Sequence, residues 1–212
     1  WVIDPARMEW NDIPGATPAV APEAATPEDT AVEVPAPEAA ATEDAPASAS
    51  TDNAYAGEPP AGFFRPGGVF GLMWEREPKV QTDLGWATQE NAIASAGALQ
   101  RFENGVMVWR GDIGAIYAFT NDGTWQRFDD TFKEGEPEKD FSIEAPQGKR
   151  QPERGFGKVW RSQPDVRDKL GWAIEKESAK NLSIQPFERG AMMDAGGTLF
   201  VMPGNADSGE WY

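Results

Sequence analysis

One stretch of this chain is written twice. Phe70-Gly71-Leu72-Met73-Trp74, a polar run through Pro78 and then Leu84-Gly85-Trp86-Ala87 recur as Phe156-Gly157-Lys158-Val159-Trp160, a polar run through Pro164 and Leu170-Gly171-Trp172-Ala173. The offset is 86 throughout. A copied segment means a copied structural unit, and that constrains the fold more than any local propensity does.

Within each copy the spacing predicts the same elements. Phe70 and Trp74, like Phe156 and Trp160, are four apart and share one face of a short helix. Pro78 and Pro164 suit the first position of a second helix, where a missing N–H costs nothing. Val80/Leu84 and Val166/Leu170 continue the apolar stripe, and Gly85 and Gly171 suit the left-handed residue that ends a helix. Asp165 and Lys169 complement the helix dipole in the second copy, whereas Lys79 and Asp83 oppose it in the first.

A polar loop is expected next, over 88–98 and 174–183. The match then resumes at an offset of 85, Gln100-Arg101-Phe102-Glu103-Asn104-Gly105 against Gln185-Pro186-Phe187-Glu188-Arg189-Gly190. Asn104-Gly105 predicts a two-residue hairpin turn with φ > 0 at both positions. Strands are expected at 115–119 and 198–201, and again around Trp125 to Phe128, with Trp211-Tyr212 as the second copy's counterpart. The expectation is an α+β protein of two tandem modules, each two short helices plus a small antiparallel meander. The modules are placed at 63–146, including a charged connector with Phe141 and Ile143, and at 147–212. Six of the nine tryptophans fall in matched pairs (Trp74/Trp160, Trp86/Trp172, Trp125/Trp211) and are expected in the cores.

Ahead of the modules, residues 1–13 form a short apolar segment. Residues 14–62 are rich in Ala, Pro, Glu and Thr. So few large apolar groups cannot offset the entropy of ordering, which predicts an extended, disordered acidic linker. Residues 1–64 hold 12 of the 35 acidic side chains and a single basic one, a net −11 out of −16 for the chain. Such a field argues against nucleic acid and anionic lipid as partners.

The chain has no cysteine and no histidine. Disulfides, thiolate chemistry, the Ser-His-Asp triad and most transition-metal sites are thereby excluded, and no cofactor or metal is expected. No apolar run approaches the roughly 18–20 residues of a membrane span. The chain opens on Trp1, which raises the expectation of a signal or anchor segment ahead of it.

Leu-Gly-Trp-Ala followed by Gln-x-Phe-Glu-x-Gly resembles the LGFP repeat of bacterial cell-surface proteins, at Trp74, Leu84, Gly85, Gln100, Phe102, Glu103 and Gly105 and their second-copy partners. The resemblance spans about 68–128 and 154–212, with Leu-Gly-Trp-Ala standing in place of Leu-Gly-Phe-Pro. The Gly-Phe-Gly-x-x-Trp of residues 155–160 is also similar to modules of bacterial secreted proteins. The resemblance implies an extracytoplasmic module, secreted or at the cell surface, that attaches to the envelope or to glycans. It carries no ligand residues over.

Among the residues themselves, paired carboxylates are the only acid–base machinery left: Asp129/Asp130, Glu175/Glu177 and Glu103/Glu188. A glycosidase needs two carboxyls flanking one bond, which sequence spacing does not provide. Asn121-Asp122-Gly123 has one feature of a calcium loop and lacks the rest, so a plain turn is expected. The main lead is aromatic. Trp109 and Tyr117 fall opposite Asp194 and Phe200 in the second copy, so Trp109 breaks the repeat. With Arg110 and Asp112 they form a candidate ligand-binding face, the competing reading being packing between modules. The functional expectation is a non-enzymatic repeat protein with a structural or interaction role at the cell envelope or in an extracellular assembly. Its partner is a cell-envelope glycan or another surface protein. The alternative is a carbohydrate- or peptidoglycan-binding module, with an envelope hydrolase third.

Overall fold

The computed structural model describes residues 55–212. The expected apolar segment 1–13 and the linker up to residue 54 lie outside the described residues.

The helices form as the spacing predicts: α1 (Gly68–Arg76), α2 (Pro78–Leu84), α3 (Arg154–Ser162) and α4 (Pro164–Leu170), with proline opening α2 and α4. Gly85 and Gly171 end them at φ 78° and 71°. Helices of seven to nine residues are marginal alone, so packing must hold them. The strands are β1 (Ile93–Phe102), β2 (Gly105–Arg110), β3 (Ala115–Thr120), β4 (Thr124–Asp129), β5 (Ser178–Phe187), β6 (Gly190–Ala195), β7 (Leu199–Pro203) and β8 (Ser208–Glu210). The expected polar loops 88–98 and 174–183 are largely absent, because β1 and β5 run through them and pair antiparallel from Ile93↔Ile184 to Leu99↔Ser178.

That pairing overturns the expectation of two tandem α+β modules. All eight strands of the described residues belong to one sheet, in the order β7-β6-β5-β1-β2-β3-β4-β8. Val201 and Tyr212 exchange backbone hydrogen bonds (2.8 and 3.1 Å), so the sheet nearly closes into a barrel. The copies are joined along β1–β5 and again along β4–β8.

Alternation along the strands then divides the apolar residues between two faces. Leu99, Val108, Tyr117, Phe119, Phe200 and Met202 point into the barrel, where Phe119 stacks on Phe200 with centroids 4.2 Å apart. Ala98, Met107, Ile116 and Ala118 point out of the first copy's sheet and are covered by Phe156, Trp160, Val166 and Leu170 of α3 and α4. Met192, Leu199 and Val201 of the second copy are covered by Phe70, Trp74, Val80 and Leu84 of α1 and α2. Each copy's helices thus pack on the other copy's strands. The matched tryptophans are in the cores, but in cores that both copies build.

The two repeated motifs meet across this exchange. Trp172 N–H donates to Glu103 Oε2 and Trp86 N–H donates to Glu188 Oε2, both at 2.8 Å. Glu103 N–H and Asn104 N–H donate to Trp172 O and Leu170 O, and Glu188 and Arg189 repeat this with Trp86 and Leu84. Each Leu-Gly-Trp-Ala is therefore clasped by the other copy's Phe-Glu-x-Gly. This also explains the hairpin: Phe102 pairs with Gly105, so Glu103-Asn104 is the turn. Asn104 has no positive φ. The turn's N–H groups serve the clasp, and that outweighs the local Asn-Gly preference. A side chain at Gly105 would place its Cβ against Phe119 O and Leu170 Cδ2.

The clasp carries a pH signature. The Trp172 N–H and then Lys149 hold the Glu103 carboxyl below its usual pKa of 4.5. The ionised form is favoured in the folded state, so this stabilisation is complete above the ordinary carboxylate pKa and fades as pH falls through the lowered one. Glu103→Gln is expected to flatten the loss of stability between about pH 5 and pH 3, measured as urea midpoints across that range. A slope equal to wild type would contradict it.

Candidate ligand-binding site

The repeat supplies its own internal control: where the copies agree they build the barrel, and where they differ other roles are open. The largest difference is the connector between β4 and α3, residues 130–153. It is tied down by Lys158 Nζ donating to Thr131 O (2.8 Å), by Arg154 N–H donating to Glu138 O (2.9 Å) and by Asp140 N–H donating to Gln151 Oε1 (2.7 Å). Between the connector and the sheet lie two hollows of about 570 and 230 Å³, which share Arg154 and Glu177.

Arg154 is the only non-glycine with positive φ (50°) among the described residues. Its counterpart 86 residues earlier is Gly68, at φ 58°. The backbone turn is common to both copies, but only here does it carry a side chain, at a conformational cost of about 1–2 kcal/mol. Such strain is concentrated where a side chain is needed for more than the fold. Arg154 Nε donates to Glu138 Oε1 at 2.8 Å, and both side chains remain accessible.

The four residues of the predicted face do not share one face. Trp109 points outward, half-buried, into the smaller hollow beside Asp130, Phe132 and Glu177. Its indole Nε1 is buried with no hydrogen-bond partner. Arg110 is the next residue on β2 and is buried, as is Tyr117, which is 7 % exposed and packs against both Phe119 and Trp125 inside the barrel. Asp112, beyond the end of β2, receives both Arg110 bonds (3.1 and 2.6 Å). Burial alone would lower the Arg110 pKa, but Asp112 and Tyr117 raise it, and Asp112 is in turn held below the usual carboxylate range by Arg110.

The carboxylates also regroup. Glu103 and Glu188 belong to the clasps. Asp122 accepts from Thr120 and Thr124 and pairs with Lys169, which fixes a turn and holds its pKa well below the usual range. Asp130 and Glu177, one from each of the pairs Asp129/Asp130 and Glu175/Glu177, both line the smaller hollow. Asp130 Oδ1 accepts the Phe132 N–H at 3.0 Å. The Glu177 pKa is raised, first by desolvation and then, against the pull of Arg154, by Asp130, Glu153 and Glu138. Glu177 is exposed by surface area and lines both hollows.

The larger hollow is floored by Gln100, which is 3 % exposed. Phe141 lines it too, yet is 83 % exposed, whereas Ile143 packs against the helix-covered core. Sequence reasoning placed Gln100 in the repeat motif and gave Arg154 no role. The Arg154/Gly68 mismatch was the available signal for the latter.

No family model, curated protein or solved structure matches the chain. Among the described residues no helix is long and apolar enough to cross a membrane.

Proposed function

We propose that the protein is a non-enzymatic binding module of the cell exterior, and that the Arg154–Glu177 hollows receive a glycan of the envelope or extracellular matrix. The observation that carries this reading is the asymmetry of the copies. Trp109, against Asp194 in the second copy, and Arg154, against Gly68 in the first, converge on one cleft, although the other copy builds the same elements without either side chain. An indole beside carboxylates and a guanidinium suits a sugar ring, which offers an apolar face and a rim of hydroxyls. The resemblance to LGFP repeats points to the same setting.

The test is retention on cell-wall glycan and on soluble oligosaccharides, comparing wild type with Trp109→Phe and Glu177→Ala. Wild type should be retained and both variants weakened at least tenfold while keeping wild-type thermal midpoints. Equal retention of all three would remove the cleft from function.

One observation favours a second reading, glycoside hydrolysis: Glu177, with its raised pKa, faces Asp130 in a Trp-lined cleft. Release of new reducing ends by wild type, abolished in Glu177→Gln, would replace the binding reading with this one.

A further inference from the structure

The larger hollow has a composition unlike the rest of this acidic chain. Five basic and three acidic side chains line it, in a protein of net charge −16. Three of the cations are committed: Lys139 to Glu153 (3.3 Å), Lys149 to Glu103 (3.0 Å) and Arg154 to Glu138 (2.8 Å). Arg150 and Lys176 have no side-chain partner among the described residues.

Gln100 supplies the second observation. Its amide nitrogen donates to Glu175 O at 3.0 Å, which fixes the orientation of the group. Its Oε1 is then left buried and without a donor. A buried acceptor left unpaired is unfavourable, and an incoming hydroxyl or amide N–H would satisfy it. The third is Phe141, an accessible ring at the margin of the same hollow, with Lys139 Nζ 5.5 Å from its centroid.

Together these groups specify a ligand with a negative charge for Arg150 and Lys176, a hydrogen-bond donor for Gln100 and an apolar face for Phe141. We propose that the larger hollow is the specificity subsite of the glycan cleft and takes a carboxylate-bearing sugar residue. The proposal rests on the glycan-binding reading and narrows it from glycans in general to acidic ones. The sugar's carboxylate lies against Arg150 and Lys176, and a ring hydroxyl or N-acyl N–H reaches Gln100.

Calorimetric titration of the full chain with a uronic-acid oligosaccharide, a neutral oligosaccharide of equal length and poly-glutamate separates the outcomes. The uronic oligosaccharide should bind at least tenfold more tightly than the neutral one. The Arg150→Ala/Lys176→Ala variant, whose changes are exposed and leave the core intact, should lose that preference while keeping residual affinity for both. Gln100→Glu, which brings a negative charge to the floor, should weaken the acidic ligand more than the neutral one. Equal binding of the two sugars would overturn the acidic subsite and leave glycan binding standing. Poly-glutamate binding as tightly as the uronic ligand would overturn the sugar assignment in favour of an acidic peptide. Binding of neither sugar would remove the glycan reading and this inference together.

Discussion

Residues 55–146 and 147–212, produced as separate chains, are each expected to be unfolded as monomers and to fold on mixing. The reason is where their apolar surfaces go. In the first fragment, Phe70, Trp74, Val80 and Leu84 would lose Met192, Leu199 and Val201. The outer residues Met107, Ile116 and Ala118 would lose Phe156, Trp160 and Leu170. The β1–β5 and β4–β8 pairings and both Glu clasps would vanish as well. A fragment under 100 residues that gives up half of every core keeps too little buried area to offset chain entropy. Circular dichroism and tryptophan fluorescence of each fragment, then of an equimolar mixture, make the measurement. Self-association of one fragment into a two-fold dimer would fit the exchange too, since the copies are alike. A fragment that folds as a monomer would contradict the architecture.

The second large effect is expected from Trp74→Ala. Trp74 is 0 % exposed and its indole Nε1 donates to Gly85 O at 2.8 Å. It lies 5.0 Å from the Trp86 ring, with Tyr55 edge-on at 5.5 Å and the Arg65 guanidinium over it at 5.4 Å. Removing it opens a cavity beside Trp86 and Tyr55 and strands the Gly85 carbonyl at the helix end. The loss should be about 3–5 kcal/mol, a large share of the stability of an ordinary domain. Trp74→Phe restores most of the volume without the donor and should cost less. Urea unfolding with a lower midpoint and an unchanged slope is the expected record. A change under about 1 kcal/mol would show the aromatic cluster to be dispensable. Trp160→Ala removes the equivalent bond, from Nε1 to Gly171 O (2.8 Å), but among the described residues no tyrosine packs on its ring, so its cost should be the smaller of the two.

The local half of the fold was legible because it depends on spacing. The i, i+4 apolar pairs, the opening prolines and the closing glycines gave all four helices, and the aromatic runs gave β3 and β4. The exchange was not legible, because a stripe such as Phe70-Trp74 has the same period whichever copy covers it. Residues 93–98 read as loop in the sequence because Ala94, Ser95 and Ala96 carry no apolar alternation, and their strand forms through pairing with β5. At the site, Trp109 was identified by its break in the repeat. Grouping it with Arg110 and Tyr117 ignored that neighbouring strand residues point to opposite faces. Asp130 and Glu177 meet only through tertiary structure, and the unpaired Oε1 of Gln100 has no trace in sequence.

The return of the sheet upon itself at Val201 and Tyr212 has a further consequence. A flat sheet offers its outermost backbone as a template on which a foreign peptide can lay down an extra strand, the usual start of both strand-addition recognition and fibrillar self-assembly. Here that template is nearly used up by the molecule's own chain. Recognition is left to side chains, and high local concentrations should be tolerated without backbone-driven clumping.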